Sequence, residues 1–259
     1  MTEAPGRRTR IMAVTSGKGG VGKTFVSANL AAALTRLGER VLVLDADLGL
    51  ANLDVALNLF PKITLHDVLT GRQPLAEAIL PAPGGFSVLL AGSGMVEYSR
   101  MTPEVRDQLQ QIITEVAPRY DRVLLDTGAG ISDVVLYTVS LADEVLIVAT
   151  PEPTSITDAY ATVKVLATTQ RRREVRLLVN QVRRPGEGRS VHAQLQQVLD
   201  RFVAPVIEGG LRLQLLGELP ADAAVREAVQ RRELLLQALP GAPAAQAMMA
   251  VATRLLDGA

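Results

Sequence analysis

Short β-branched runs alternate with longer segments of helical period along the whole chain, and this alternation is what most restricts its fold. The apolar runs are Ile11–Thr15, Val41–Asp45, Phe86–Leu90, Arg122–Asp126, Glu144–Ala149, Val175–Asn180 and Leu213–Gly217. Most are continuous, without the strict polar–apolar alternation of a half-exposed strand, and that belongs to a parallel sheet covered on both faces. Between them, Val105, Leu109, Ile112, Ile113 and Val116 fall on one face of a helix, with Thr102 as N-cap and Pro103 at the first helical position. Ser155 and Asp158 have capping-box spacing ahead of another helix, whose buried side reads as Ile156, Tyr160, Val163 and Ala167. The segment from Asn58 to Phe86 is less regular and predicts short helices, and Pro185–Arg189 reads as an exposed loop. The expectation is an α/β fold: one doubly wound, mostly parallel sheet flanked by helices. It forms a single domain over residues 1–259, with 1–9 flexible and a C-terminal helix over 243–259. Ligands of such sheets bind at the carboxyl ends of the strands, which directs attention to Thr15, Asp45, Asp126, Ala149 and Asn180.

Composition narrows the chemistry. The 259 residues contain no Cys and two His, and 27 basic residues balance 27 acidic ones. A disulfide framework, a cysteine nucleophile, Cys-ligated zinc and Cys-ligated iron–sulfur clusters are all excluded. A balanced charge argues against a globally basic nucleic-acid binder. Only Lys18, Lys23, Lys62 and Lys164 are lysines, and two of these four sit five residues apart in one glycine-rich segment. Met1–Arg10 is polar and lacks the apolar core of a signal peptide. Leu234–Thr253 carries no charge, but Pro240, Gly241 and Pro243 interrupt it, so it reads as the end of one helix, a turn and the start of another. The expected location is cytoplasmic.

After the first apolar run comes Ser16-Gly17-Lys18-Gly19-Gly20-Val21-Gly22-Lys23-Thr24, which matches G-x-x-x-x-G-K-[ST] with a strand before it and a helix after it. Glycines let consecutive backbone N–H groups curl around phosphate oxygens, and the following helix points its positive end at the same anion. In that geometry Lys23 reaches the β- and γ-phosphates and the Thr24 hydroxyl binds Mg²⁺. Asp45 ends the second strand and can hold Mg²⁺ through water. Asp47, two residues on in extended chain, points to the same side and can orient an attacking water. Asp126 ends another buried strand, where an acid is costly unless a cation lies near, and is the second metal candidate. Gly128 and Gly130 after it suit a segment whose backbone reorients around a γ-phosphate.

The string GKGGVGKT, with its extra Lys18, resembles the deviant Walker motif of the MinD/ParA superfamily of P-loop ATPases, and the resemblance covers Arg10 to Leu256. It implies an ATP-bridged homodimer in which Lys18 of each subunit stabilises phosphate charge in the opposite site. Lys18, Lys23 and Asp47 then carry the catalytic roles. Gly17, Lys18, Gly19, Gly20, Val21, Gly22, Lys23, Thr24 and Phe25 form the nucleotide-binding stretch, and Thr24, Asp45 and Asp126 serve the metal. Phe25 stands where relatives have a small or polar residue. The resemblance also gives Asn180 a contact to adenine, which an amide can meet by donating and accepting at once. Leu219-Pro220-Ala221-Asp222, following the last strand, is similar to the family loop that closes on the base, which adds Pro220 and Asp222.

Missing cysteines remove the iron–sulfur branches of the superfamily. DADLGLANLDVALNL (45–59), LHDVLTGRQPLAEAIL (65–80), the stretch from Asp126 to Lys164, and LPADAAVREAVQRRELLLQALP (219–240) look most like the FlhG branch, regulators of flagellar number and placement. MinD-type division-site regulators and ParA-like DNA or cargo partition ATPases are the alternatives. The implied partners are a second copy of the chain and a flagellar or polar-assembly protein. FlhG proteins often carry an N-terminal Asp-Gln-Ala-type segment that stimulates an SRP-type GTPase, and Met1–Arg10 does not show it. Relatives tend to end in a basic amphipathic helix that docks on membrane. Here Met248, Val251, Ala252, Leu255 and Leu256 share one face with Arg254 as the only cation, which predicts packing against the domain. Any docking at the inner face of the membrane would be weak or need another surface. DNA binding would rest on Arg171–Arg173, Arg176, Arg183 and Arg184, read as a solvated basic surface.

Overall fold

The computed structural model describes residues 8–49, 51–92 and 101–258. The expectations for residues 1–7 lie outside the described residues. In chain order the elements are β1 (Arg10–Ser16), α1 (Lys23–Arg36), β2 (Val41–Ala46), α2 (Leu53–Leu57), α3 (Leu65–Leu69), α4 (Leu75–Ala78), β3 (Ile79–Pro81), β4 (Ser87–Leu89) and α5 (Pro103–Val116). They continue with β5 (Arg122–Ala129), α6 (Asp133–Ser140), β6 (Glu144–Ala149), α7 (Pro153–Gln170), β7 (Glu174–Val182), α8 (Glu187–Phe202), β8 (Arg212–Pro220), α9 (Ala223–Arg231), α10 (Leu235–Ala238) and α11 (Pro243–Asp257).

The strands form one sheet in the order β3-β4-β2-β5-β1-β6-β7-β8. Every pair is parallel except β3–β4. Successive strand residues face opposite layers, as the pleat requires. Ala13, Leu42 and Leu44 join the core beneath α5–α8, while Met12, Val14, Val41 and Val43 join the core beneath α1 and α9–α11. Both faces are therefore dry, which is why the strands read as continuous apolar runs. The doubly wound expectation holds.

Several boundaries differ from the sequence reading. The edge strand β3 was not anticipated: it is three residues long and antiparallel, too short to show a period. The last strand runs on to Pro220, so Leu219 and Pro220 belong to it instead of following it. Ser155 does not cap its helix. α7 begins at Pro153 behind Glu152, and the Ser155 hydroxyl accepts the Thr150 backbone N–H at 2.9 Å. The buried stripe of α7 is Ser155, Ala159, Thr162, Val163, Leu166 and Ala167, leaving Ile156 and Tyr160 half-buried. Pro185–Arg189 is only partly loop, because Gly186 is a left-handed N-cap and α8 starts at Glu187. Thr102 does cap α5, accepting from the Val105 N–H.

α11 lies with Met248, Val251, Ala252 and Leu255 buried, against β8 and α1. At the amino-terminal end of the strands, Arg122 is 1% exposed, within 3.4 Å of Glu39 and 3.8 Å of Glu144. Its Nη2 donates to the Leu255 carbonyl, tying the last turns of α11 to the foot of the sheet. No helix among the described residues is long and apolar enough to cross a membrane.

Candidate functional site

The carboxyl ends of β1, β2 and β5 meet beside the glycine-rich loop. Gly19, Gly20, Gly22, Lys23, Thr24 and Phe25 line one wall of a cavity of about 680 Å³, and Asp47 to Gly49 with Thr127 to Ala129 line the other. The loop leaves β1 where the register with β5 shifts between Val14 and Ser16, and the Ser16 carbonyl accepts from Gly130 N. Gly22 has φ 94°, a left-handed conformation open to glycine, and it opens α1 as its N-cap. A Cβ there would stand 2.5 Å from Asn180 Nδ2, and one on Gly17 would stand 2.2 Å from the Asp158 carbonyl oxygen. The loop is thus pressed against α7 at one end and β7 at the other. Val21 is buried, and its carbonyl accepts from Asn180 Nδ2 at 2.8 Å.

The carboxylates are set by the sheet. Asp45 and Asp126 are register partners on adjacent parallel strands, so their Cα atoms are about 4.8 Å apart. Both are buried. Burial pushes the Asp126 carboxyl up from 3.8 to about 6, against hydrogen bonds from Ser27 and Thr24 and the nearby Lys23. Burial, followed by the charge of Asp126, raises the Asp45 carboxyl well above its ordinary value. Burial also lowers Lys23, an effect opposed by Asp126 and Asp47. Asp45 accepts from Asp47 N at 3.2 Å and from Leu53 N at 3.4 Å, which curls the chain after β2 where an extended course was expected. Asp47 nevertheless lies over Gly128, whose Cβ position is 3.4 Å from Asp47 Oδ1.

This donor set fits a hard divalent cation carried by phosphates. Two buried acids with raised proton affinity need positive charge, and a lysine and a hydroxyl stand beside them. Among the described residues no three His, Asp or Glu side chains form a cage for a metal by themselves. Mg²⁺ commonly keeps waters and phosphate oxygens and takes only one or two carboxylates.

Other expected residues lie outside this cavity. Lys18 turns to α7, where its Nζ donates to Glu152 Oε2 at 2.8 Å and Thr154 Oγ1 at 3.1 Å. Asn180 Oδ1 accepts from Gln181 N, so both ends of its amide already have partners. Asp222 N-caps α9 through Ala224 N at 2.9 Å and also accepts Ala244 N of α11 at 3.1 Å. Pro220 ends β8 next to it. The arginines weighed for DNA fall into two groups, roughly 30 Å apart along the nine-residue β7. Arg172 is spent on the Val139, Ala142 and Asp143 carbonyls and Arg176 on Glu144, so they form no single basic face.

Two functional neighbours escaped the sequence reading. Ser27, fully buried, donates to Asp126 Oδ1 at 2.8 Å. Its signal was the i, i+3 spacing from Thr24, which puts both hydroxyls on one face of α1. Glu152, the partner of Lys18, is 134 residues away in sequence and gave no local signal.

Residues 7–256 match the ParA family, described as NUBPL iron-transfer P-loop NTPase. The chain is 45% identical to the antiactivator FleN of Pseudomonas aeruginosa, over 95% of this chain and 86% of that protein. It is 35% identical to the flagellum site-determining protein YlxH of Helicobacter pylori, over 90% of this chain and 76% of that one. The septum site-determining protein MinD of Pyrococcus horikoshii, solved with Mg-ADP, superposes with a TM-score of 0.77 at 28% identity, covering 96% of this chain and 98% of that one.

Proposed function

Because the chain belongs to the ParA family of P-loop NTPases, we propose that it is an ATP-dependent dimerising switch of the FleN and MinD type, which hydrolyses ATP with Mg²⁺ and regulates the number or placement of flagella. The observation that carries this reading is that Lys23, Thr24 and Asp47 line one cavity at the mouth of the glycine-rich loop, with Asp126 buried beside Lys23 and Asp45 buried beside Asp126. The similarity to FleN and YlxH supports the flagellar assignment. Iron transfer, named in the family description, does not come with it, because the chain has no Cys to hold iron or a cluster.

The backbone N–H groups of Gly19 to Thr24 cradle the phosphates, and Lys23 neutralises the β- and γ-oxygens. Thr24 and Asp126 would hold Mg²⁺, with Asp45 reaching it through water, and the ion would supply positive charge to the phosphate oxygens. Asp47, across from Gly128, orients the attacking water. Asn180 and the Pro220–Asp222 turn bound the base, and Asp222 holds the turn through its two helix caps. Lys18 acts on the partner subunit's phosphates, as an arginine finger does when supplied in trans. The lone subunit parks Lys18 on Glu152, with the two side chains 39% and 63% exposed, so the bridge is weak and yields readily.

Light scattering in Mg-ATP tests this. The Asp47→Ala variant, blocked in hydrolysis, should accumulate as a dimer. Lys18→Ala should still bind nucleotide but remain monomeric and lose turnover. Dimers of normal yield in Lys18→Ala would sink the trans role.

A further inference from the structure

Helix α1 is built from small residues where it crosses the sheet: Ala28, Ala31, Ala32 and Ala33 are all buried. A buried serine in such a helix is a worse helix former than alanine and carries a polar cost unless its hydroxyl is bonded. Buried or half-buried threonines in the helices, one of them in α1 itself, bond back to the carbonyl four residues earlier: Thr35 to Ala31, Thr138 to Val134 and Thr162 to Asp158. Ser27 does not. Its single proton goes to Asp126 Oδ1, 99 residues away, at 2.8 Å, with serine and acid both shut off from water.

We infer that Ser27 is the positioning residue of the metal site, fixing the rotamer of Asp126 so that its second oxygen stays turned toward Thr24 and Lys23. The serine sits one turn beyond Thr24 on the same helix face, and it does not line the cavity. It therefore acts only through Asp126. Second-layer partners of metal-binding carboxylates commonly govern metal affinity by about 10–100-fold. The inference rests on the nucleotide and Mg²⁺ reading above.

The test is a Mg²⁺ titration of binding by a fluorescent ATP analogue, set against binding of the same analogue in EDTA, for the wild type, Ser27→Ala and Ser27→Cys. Cysteine keeps the volume with a poor donor, so it serves if alanine disturbs packing. The expected result is a half-saturating Mg²⁺ concentration raised about tenfold in both variants, with EDTA affinity unchanged within about twofold. An unchanged Mg²⁺ requirement in either folded variant overturns the inference. So does an equal loss with and without Mg²⁺, which would mark a general disturbance of the loop. A wild type that binds the analogue with no response to Mg²⁺ would instead overturn the metal reading itself.

Discussion

Single residues at the site trade stability for charge. Asp126 has its carboxyl raised from 3.8 to about 6, with burial as the main cause. Between those two values the folded state holds a proton that the unfolded chain has released. Stability therefore falls as pH rises through that window, and the loss is complete above about pH 6. We expect Asp126→Asn, free of nucleotide and Mg²⁺, to be more stable than the wild type at pH 7.5 by on the order of 2–3 kcal/mol. Urea denaturation at pH 7.5 and pH 5 checks this, and the gap should be roughly halved at the lower pH. A gap that widens toward acid would refute the assignment. The residues named for this site were legible because each stood at the end of a recognisable run, with the loop motif fixing its neighbours. Ser27 and Glu152 were not. One is hidden in the interior of a helix, and the other meets its partner only through tertiary folding.

Among elements, the helix starts carry most of the precision. Asp222 is read from the sequence as a base-loop residue, yet its two oxygens hold the first turns of α9 and α11. Asp222→Ala should lose both caps, a destabilisation of about 2 kcal/mol at the usual worth of a helix N-cap. Asp222→Asn should retain most of it, since an amide oxygen still accepts. Comparing their chemical-denaturation midpoints at constant m-value checks the claim. The long strands and the helices α5 and α11 were readable from period and capping residues. The ends of β7 and β8 were not, because each continues past a polar residue that interrupts its apolar run, Gln181 in β7 and Glu218 in β8. β3 lacked any pattern, since three residues at a sheet edge cannot show one.

For the whole molecule, the sheet has a site at one end and an ionic knot at the other, and α11 spans the distance between them. Its start is held by Asp222 and its end by Arg122. Because its apolar face is already buried against β8 and α1, the helix is part of the core. Met248 is fully buried there, and Met248→Ala should cost about 2–5 kcal/mol. Thermal unfolding checks this, and a change within error would mean that the helix is held by its ends alone.

The glycine-rich loop is pinned at both extremities, Gly17 on α7 and Gly22 on Asn180, with no room for even a methyl group at either contact. A strap anchored this way cannot swing aside. The wall facing it, residues 47–49 and 127–129, carries no comparable clamp. Any rearrangement that admits or releases an occupant therefore falls to that facing wall and not to the loop that does the holding.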